Sequence, residues 1–391
     1  MKTVYMDNNA TTKMPAEVMG AMLPYMSKYY GNPSSSYEIG AAVREKIDEA
    51  RRNVADLIGA EPEEIIFTSG GTESDNTAIR SAISLQPDKK TIVTSSVEHP
   101  AIRSLCTHLS KKGYRIIEIP VSKYGEPDIE KYEKSLNEDT ALATIMWANN
   151  ETGVLFPVKI AAEMARKKGI LFHTDAVQAA GKIDINLKNT AIDMLSLSGH
   201  KIHGPKGTGV LYVRSGTPFY PMMMGGHQET GRRAGTENTP GIIGLGKASK
   251  LAVHHLKENS YRIRNLRNRL EKGIIESVPG ASINGYNVPR LPNTSNISFE
   301  NIDGESILLM LDEIGVSVST GSACSSGSQD PSHVLLAMGL SPLKAKSSVR
   351  FSLGIDNTDD DVELVLEHIP GIIEQLRSIS PLWNETKFKA A

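Results

Sequence analysis

Between residues 64 and 213 the chain repeats one unit: a short apolar run that breaks into small or polar residues, followed in several units by a helix-spaced stretch. The apolar runs fall at 64–68, 91–95, 115–120, 141–148, 170–175, 194–197 and 209–213, and 158–168 carries one of the intervening helical patterns. Repeated βα units of this length predict an α/β fold, a mostly parallel sheet covered by helices on both faces. In such sheets ligands collect beyond the C-terminal ends of the strands. The residues of chemical interest lie at those ends: Thr72, His99, Asn149, Asn150, Asp175 with Gln178, and Ser198 to Lys201. That coincidence constrains the chain more than any single motif.

The flanking regions read differently. Val43, Ile47, Val54 and Ile58 recur at helical spacing and Gly59 follows as a stop. After Gly246, 250–275 is a long charge-laced helix linking domains along a solvated face, strands follow near 296–299 and 316–319, and 361–378 is helical, with Pro370 marking a break or kink. These features predict a smaller α+β domain. At 391 residues the chain exceeds the usual single core. The expected division is a large ligand-binding domain at 15–258 and a small domain made of 1–14 and 259–391.

Composition removes other classes. A formal net charge of -2 gives no reason to expect nucleic acid or a membrane surface as partner. No run approaches the ~18 apolar residues of a spanning helix, and the N-terminus lacks the pattern of a secretory signal. Two cysteines, Cys106 and Cys324, make no disulfide framework and no Cys-x-x-Cys pair. A reduced, cytoplasmic chain is the expectation. The 10 histidines show no metal-ligand spacing, so no metal is expected.

The segment Ser198-Gly199-His200-Lys201 closes an apolar strand. A lysine at a buried strand end is open to desolvation, which lowers its pKa and frees the amine for a Schiff base. Ser198 and His200 flank it closely enough to share an anion contact. Taken alone, Lys201 also reads as a surface lysine in a Gly-Pro turn. Upstream, Thr68-Ser69-Gly70-Gly71-Thr72-Glu73-Ser74-Asp75-Asn76 joins a strand to a helix through a glycine pair. Helix-start amides and small residues there suit a phosphate, although the run fits neither the dinucleotide fingerprint nor the Walker pattern. Asp175 leaves an apolar strand and, if buried, needs a cationic partner such as a protonated pyridine nitrogen. Gln178 is placed to donate to a phenolate, and His99 to stack on a flat ring. Singly, His99 reads as a satisfied histidine and Gln178 as a surface amide. Joined with Lys201, the set reads as a pyridoxal phosphate site.

Cys324 stands in Gly321-Ser322-Ala323-Cys324-Ser325-Ser326-Gly327, a composition that predicts presentation on a mobile loop, where a thiolate can attack. Cys106, spaced with Ile102, Leu105 and Leu109, reads instead as buried and inert. Arg350, beside a strand, has the planar fork that suits a substrate carboxylate, with a structural salt bridge as the competing explanation.

On these residues, with Arg232-Arg233-Ala234-Gly235-Thr236-Glu237-Asn238, the chain resembles the cysteine desulfurases of the NifS/IscS group, in the class V branch of fold-type I pyridoxal phosphate enzymes. The resemblance runs from Asp7-Asn8-Asn9-Ala10-Thr11-Thr12 to Ser380-Pro381-Leu382-Trp383. Its wording at Met146-Trp147-Ala148-Asn149-Asn150-Glu151-Thr152-Gly153 and Gly225-Gly226-His227-Gln228-Glu229 is nearer the nitrogen-fixation NifS type. It implies that Lys201 holds pyridoxal 5'-phosphate, that Gly71, Thr72, Ser198 and His200 bind its phosphate, and that Thr236 joins them from the second subunit of a homodimer. It implies His99 on the ring, Asp175 on the pyridine nitrogen and Gln178 on the phenolate. Asn150 and Arg350 would hold the carboxylate of L-cysteine. Lys201 would remove the Cα proton and Cys324 would take the sulfur as a persulfide, leaving alanine. His99 is the group placed for proton transfer at the sulfur.

The acceptor implied is an iron–sulfur scaffold of NifU or IscU type, with Cys324 open to transient contact with a cluster. The sequence runs only through 384–391 after Trp383, which favours the NifU type. A selenocysteine lyase or a class V aminotransferase would share Lys201, Asp175 and the phosphate loop, although an aminotransferase has no need of Cys324. A non-catalytic sulfur-relay protein would not need the lysine constellation.

Overall fold

A computed structural model describes residues 3–320, 330–380 and 383. Cys324 lies outside the described residues, and the expectation of a mobile loop there with it.

The strands in chain order are β1 (Val4–Tyr5), β2 (Ile65–Thr68), β3 (Thr91–Ser95), β4 (Arg115–Ile119), β5 (Thr140–Thr144), β6 (Leu171–Asp175), β7 (Met194–Ser198), β8 (Gly209–Val213), β9 (Ala281–Asn284), β10 (Thr294–Phe299), β11 (Val316–Ser317) and β12 (Ser348–Ser352). Seven of them form one sheet in the order β2-β8-β7-β6-β5-β3-β4. β4, β3, β5, β6 and β7 pair parallel, and β8 runs antiparallel to both of its neighbours, β7 and β2. β2, β3, β5, β7 and β8 are buried along their whole length, because helices cover both faces and no face is left for polar alternation.

The helix Glu38–Ile58 ends where Gly59 adopts φ 60°, the left-handed conformation that a C-terminal stop uses. Its inner face meets the first turns of a 39-residue helix, Thr239–Ser277, in a contact tight enough that a Cβ on Gly246 would fall 2.5 Å from Ala50 Cα. That long helix serves two apolar cores. Ile242 and Leu245 pack with the core of the seven-stranded sheet, whereas Ile263, Leu266, Leu270 and Ile274 pack with a second core that includes Val4, Met6, Phe299 and Phe351. The second core is built on the antiparallel sheet β12-β10-β9, the parallel pair β1-β11 and the C-terminal helix Asp359–Ile379. Leu291, Val334, Leu335 and Met338 cross back to pack on the first core.

Two local expectations change. The run 141–148 is a strand only over Thr140–Thr144, after which the chain turns and Ala148 bridges to Leu155. Pro370 does not end its helix, which continues through it from Asp359 to Ile379. Ile369, Ile372 and Ile373 are buried on both sides of the proline, and this packing holds the helix together across the missing N–H.

Candidate active site

The parallel strands deliver their C-terminal ends to one edge of the sheet, and a cleft opens there. Lys201, Thr72, Asp175, His99, Asn150 and Arg350 are among the residues that line it, together with Gly71, Gln178, Ser198 and His200. Of the described side chains singled out from the sequence for the site, Thr236 and Asn149 are not among the residues lining this cleft: Thr236 is exposed, and Asn149 is buried, its Oδ1 accepting from the Glu151 and Thr152 N–H groups.

At one end of the cleft the 15-residue helix Gly71–Leu85 starts, with Gly71 and Thr72 in its first turn. First-turn amides have no partner within their helix and carry the positive end of its dipole. A Cβ on Gly71 would stand 2.7 Å from Val177 Cγ2, so a larger residue would fill this cradle. Ser198, at the end of β7, and His200 complete that end. Burial, then the nearby Lys201, pushes the His200 imidazole down to about 4, so it is neutral near pH 7.

Asp175, which also lines the cleft, closes β6, and its carboxylate accepts from the Val177 N–H at 2.8 Å. Burial pushes Asp175 up, opposed by that N–H and by Lys201. Buried acid groups of this kind need a cationic partner to ionise fully. Lys201 lies just past β7 and lines the same cleft, its Nζ donating to the Asn9 and Ala10 carbonyls at 2.6 Å each. An anion cradle, a lysine and a buried carboxylate in one cleft fit a phosphorylated pyridine aldehyde: Gly71, Thr72, Ser198 and His200 would hold its phosphate, Asp175 its ring nitrogen and Lys201 its aldehyde carbon.

His99 caps the helix Pro100–Ser110, its Nδ1 accepting from the Ala101 N–H at 3.2 Å, which leaves the proton of the neutral ring on Nε2. Burial first, then Lys201, lowers it to about 4. Gln178 donates to the Asn9 carbonyl at 2.9 Å and accepts from Lys182 Nζ at 2.7 Å. Burial, with Lys201 and Arg350 close by, lowers Lys182 well below the ordinary lysine value. Arg350 is 2% exposed and donates to the Asp7 carboxylate at 2.6 Å and to the Asn150 carbonyl at 3.0 Å. Cys106 is buried, and burial pushes its thiol up to about 12, which keeps it unreactive.

Sequence reasoning missed the Asn9-Ala10 carbonyls, Asp7, Lys182 and Asp75. The Asn9 and Ala10 carbonyls and Asp7 meet their partners, and Lys182 meets Asn9, across more than 160 residues of chain, contacts that no local spacing encodes; Lys182 also meets Gln178, four residues away. Among the described residues no cluster of three or more His, Cys, Asp or Glu could hold a metal ion, and no helix is long and apolar enough to cross a membrane.

The sequence profile of the class-V aminotransferases matches residues 4–365. A cysteine desulfurase of Gluconacetobacter diazotrophicus is 53% identical over 386 residues, covering 98% of this chain and 96% of that one. The cysteine desulfurase NifS of Azotobacter vinelandii is 51% identical over 385 residues, with the same coverage. Among solved structures, a NifS-like protein superposes with a TM-score of 0.90 at 38% identity, covering 96% of this chain and all of its own. Another, SspA in complex with cysteine, gives 0.80 at 36%, covering 90% and 99%. The chain therefore belongs to the class-V aminotransferase family and, within it, to the pyridoxal phosphate-dependent cysteine desulfurases.

Proposed function

We propose that this protein converts L-cysteine to L-alanine and passes the sulfur, as a Cys324 persulfide, to an iron–sulfur scaffold, in the manner of a NifS-type desulfurase. The observation that carries the reading is that one cleft gathers an anion cradle, Lys201, the buried Asp175 and the Arg350 guanidinium. When bound, pyridoxal phosphate supplies an aldehyde to condense with amines and a ring that accepts electrons from the substrate's Cα.

The chain's own groups do the rest. Arg350 Nε is buried without a hydrogen-bond partner among the described residues, so the guanidinium retains a donor for the substrate carboxylate, beside Asn150. Lys201 Nζ would accept the Cα proton. Asp175 would stay ionised to hold the ring nitrogen. His99 would meet the ring face, and its Nε2 would handle the proton at the sulfur. The Cys324 thiolate bonds to the substrate sulfur as the carbon–sulfur bond breaks. The bonding electrons stay on the carbon, which is protonated to give alanine.

A homodimer is part of this reading. Thr236 is exposed and is not among the residues lining its own cleft, as a residue serving a second copy would be. Leu23, Met26, Tyr30 and Met224 are large apolar side chains that the single chain leaves exposed. We read the domain division at 15–258 against 1–14 and 259–391. Val4 and Met6 joining the Ile263–Leu376 side chains in one core supports it. NifU-type docking, a nitrogen-fixation role and a cytoplasmic setting belong to the same reading.

The test is to incubate the holoenzyme with L-cysteine and follow alanine and enzyme-bound sulfur together. Alanine with a Cys324 persulfide is expected. Pyruvate, or transamination without sulfur release, would contradict it. A clear preference for selenocysteine would favour the lyase.

A further inference from the structure

Asp75, on the helix Gly71–Leu85, is 1% exposed and lines the cleft. Its Oδ1 has no hydrogen-bond partner among the described residues, and the imidazole nitrogen His173 Nε2 stands 3.7 Å away. That ring is already committed: Nδ1 shares a hydrogen bond with Thr144 Oγ1 at 2.8 Å, and Nε2 with Ser196 Oγ at 2.9 Å. Ser196, whose hydroxyl also serves Asp75, is the strand partner of Asp175. Two carboxyl groups therefore share one dry region behind the ring-nitrogen end of the cleft.

We propose that Asp75 is a positioning residue carried as the neutral acid, so that the one negative charge of the pair stays on Asp175, where the pyridine nitrogen meets it. This rests on the assignment of Asp175 to that nitrogen. The charged and titratable groups facing Asp75 are Asp175 and His173 from β6 and Glu98 from the segment before the helix Pro100–Ser110. None supplies a positive charge. His173 is fully buried and pushed down to about 3, so it is neutral, and Glu98 is itself an acid pushed up to about 8 by burial. Burial first, then Asp175, raises Asp75 well above the carboxylate range, with only the Ser196 hydroxyl opposing. Asp175 differs in having the Val177 N–H and Lys201 in favour of its ionised form. Like charges in one desolvated region do not both ionise, so the proton belongs to Asp75.

The experiment compares wild type, Asp75→Asn, Asp75→Ala and Asp175→Asn holoenzymes by the rate of cofactor loss on dilution and by the pH midpoint of the lysine-bound cofactor's visible band. Asparagine copies the neutral acid in shape and polarity, so Asp75→Asn should match wild type within about threefold in cofactor loss, with the midpoint unmoved. Asp75→Ala strips the polar neighbour from Asp175, which becomes more basic and takes a share of the pyridine proton. Cofactor loss should rise about tenfold and the midpoint should move up. Asp75→Asn failing as Asp75→Ala does would show that the charge is needed, and Asp75→Ala matching wild type would show no role; either overturns the proposal. Should Asp75→Ala fail to fold, Asp75→Asn decides alone, cofactor loss and a moved midpoint overturning it. Asp175→Asn separates the two readings. If it keeps the wild-type cofactor and midpoint, the Asp175 assignment falls and this proposal with it. If it loses both while the two Asp75 variants do not split, only the Asp75 proposal falls.

Discussion

Arg350 and Asp7 meet at 2.6 Å across 343 residues of sequence, joining β12 to the turn after β1 at the mouth of the cleft. The same guanidinium reaches the Asn150 carbonyl at 3.0 Å. The planar fork is thus held on two sides before any substrate arrives, which limits the ordering that binding must impose.

Arg350→Lys tests that arrangement. A single ammonium cannot keep the Asp7 and Asn150 contacts and also grip a carboxylate with a fork. The KM for L-cysteine should rise about tenfold or more, with the cofactor's visible band retained. Steady-state alanine formation measures it. An unchanged KM would remove Arg350 from the substrate clamp.

The lysine assignment is tested by borohydride reduction and peptide mapping. The pyridoxyl group should appear on Lys201, and Lys201→Ala should lose both the adduct and turnover. Lys182 is the demanding control, because burial strongly disfavours its ammonium and its Nζ lies 3.2 Å from Asn9 Oδ1. An adduct on Lys182 or Lys206 would place the cofactor elsewhere.

The phosphate end is tested by Gly71→Val. The added carbons would meet Val177 Cγ2, 2.7 Å from the first of them, where the cradle lies. Cofactor affinity should fall about tenfold or more while the far-UV circular dichroism is kept. Equilibrium binding of pyridoxal phosphate to the resolved apoenzyme measures it, and wild-type affinity would exclude a phosphate at this helix start.

Stability should fall as pH rises from about 4.5 towards about 8. Glu98 is buried, and burial raises its carboxyl to about 8, above the ordinary 4.5. In the raised case the folded state holds the proton longer than the unfolded chain. The stability is therefore fully present below about 4.5 and is lost as pH rises towards about 8. The loss between pH 6.5 and 8 should be up to about 2 kcal/mol. Glu98→Gln should flatten that limb of a melting-temperature profile. An unchanged slope would show that Glu98 does not titrate there.

Much of this molecule was legible along the sequence, for physical reasons. Strands buried on both faces must be apolar runs, and the residues that end them must be polar if a ligand sits there, so Asp175, Ser198 and Lys201 announced themselves. The helix at Gly71 was readable from its glycine pair. Contacts between distant segments were not. Nothing near Lys201 in sequence points to the Asn9 and Ala10 carbonyls, and nothing in the run around Asp75 separates a buried carboxyl from a solvated one. Of the break or kink that local backbone chemistry predicts at Pro370, the break does not occur, the buried isoleucines around it packing along one continuous helix.

The most direct measurement is mass spectrometry of the protein after brief incubation with L-cysteine, without reductant. The Cys324 peptide should gain the mass of one sulfur atom, with alanine formed alongside, and the Cys106 peptide should stay unmodified. Cys106→Ala should keep this behaviour with a packing loss of about 1 kcal/mol, whereas Cys324→Ala should bind L-cysteine, change the cofactor's absorbance and release little alanine. Sulfur on Cys106, or near-normal alanine release in Cys324→Ala, would contradict the account.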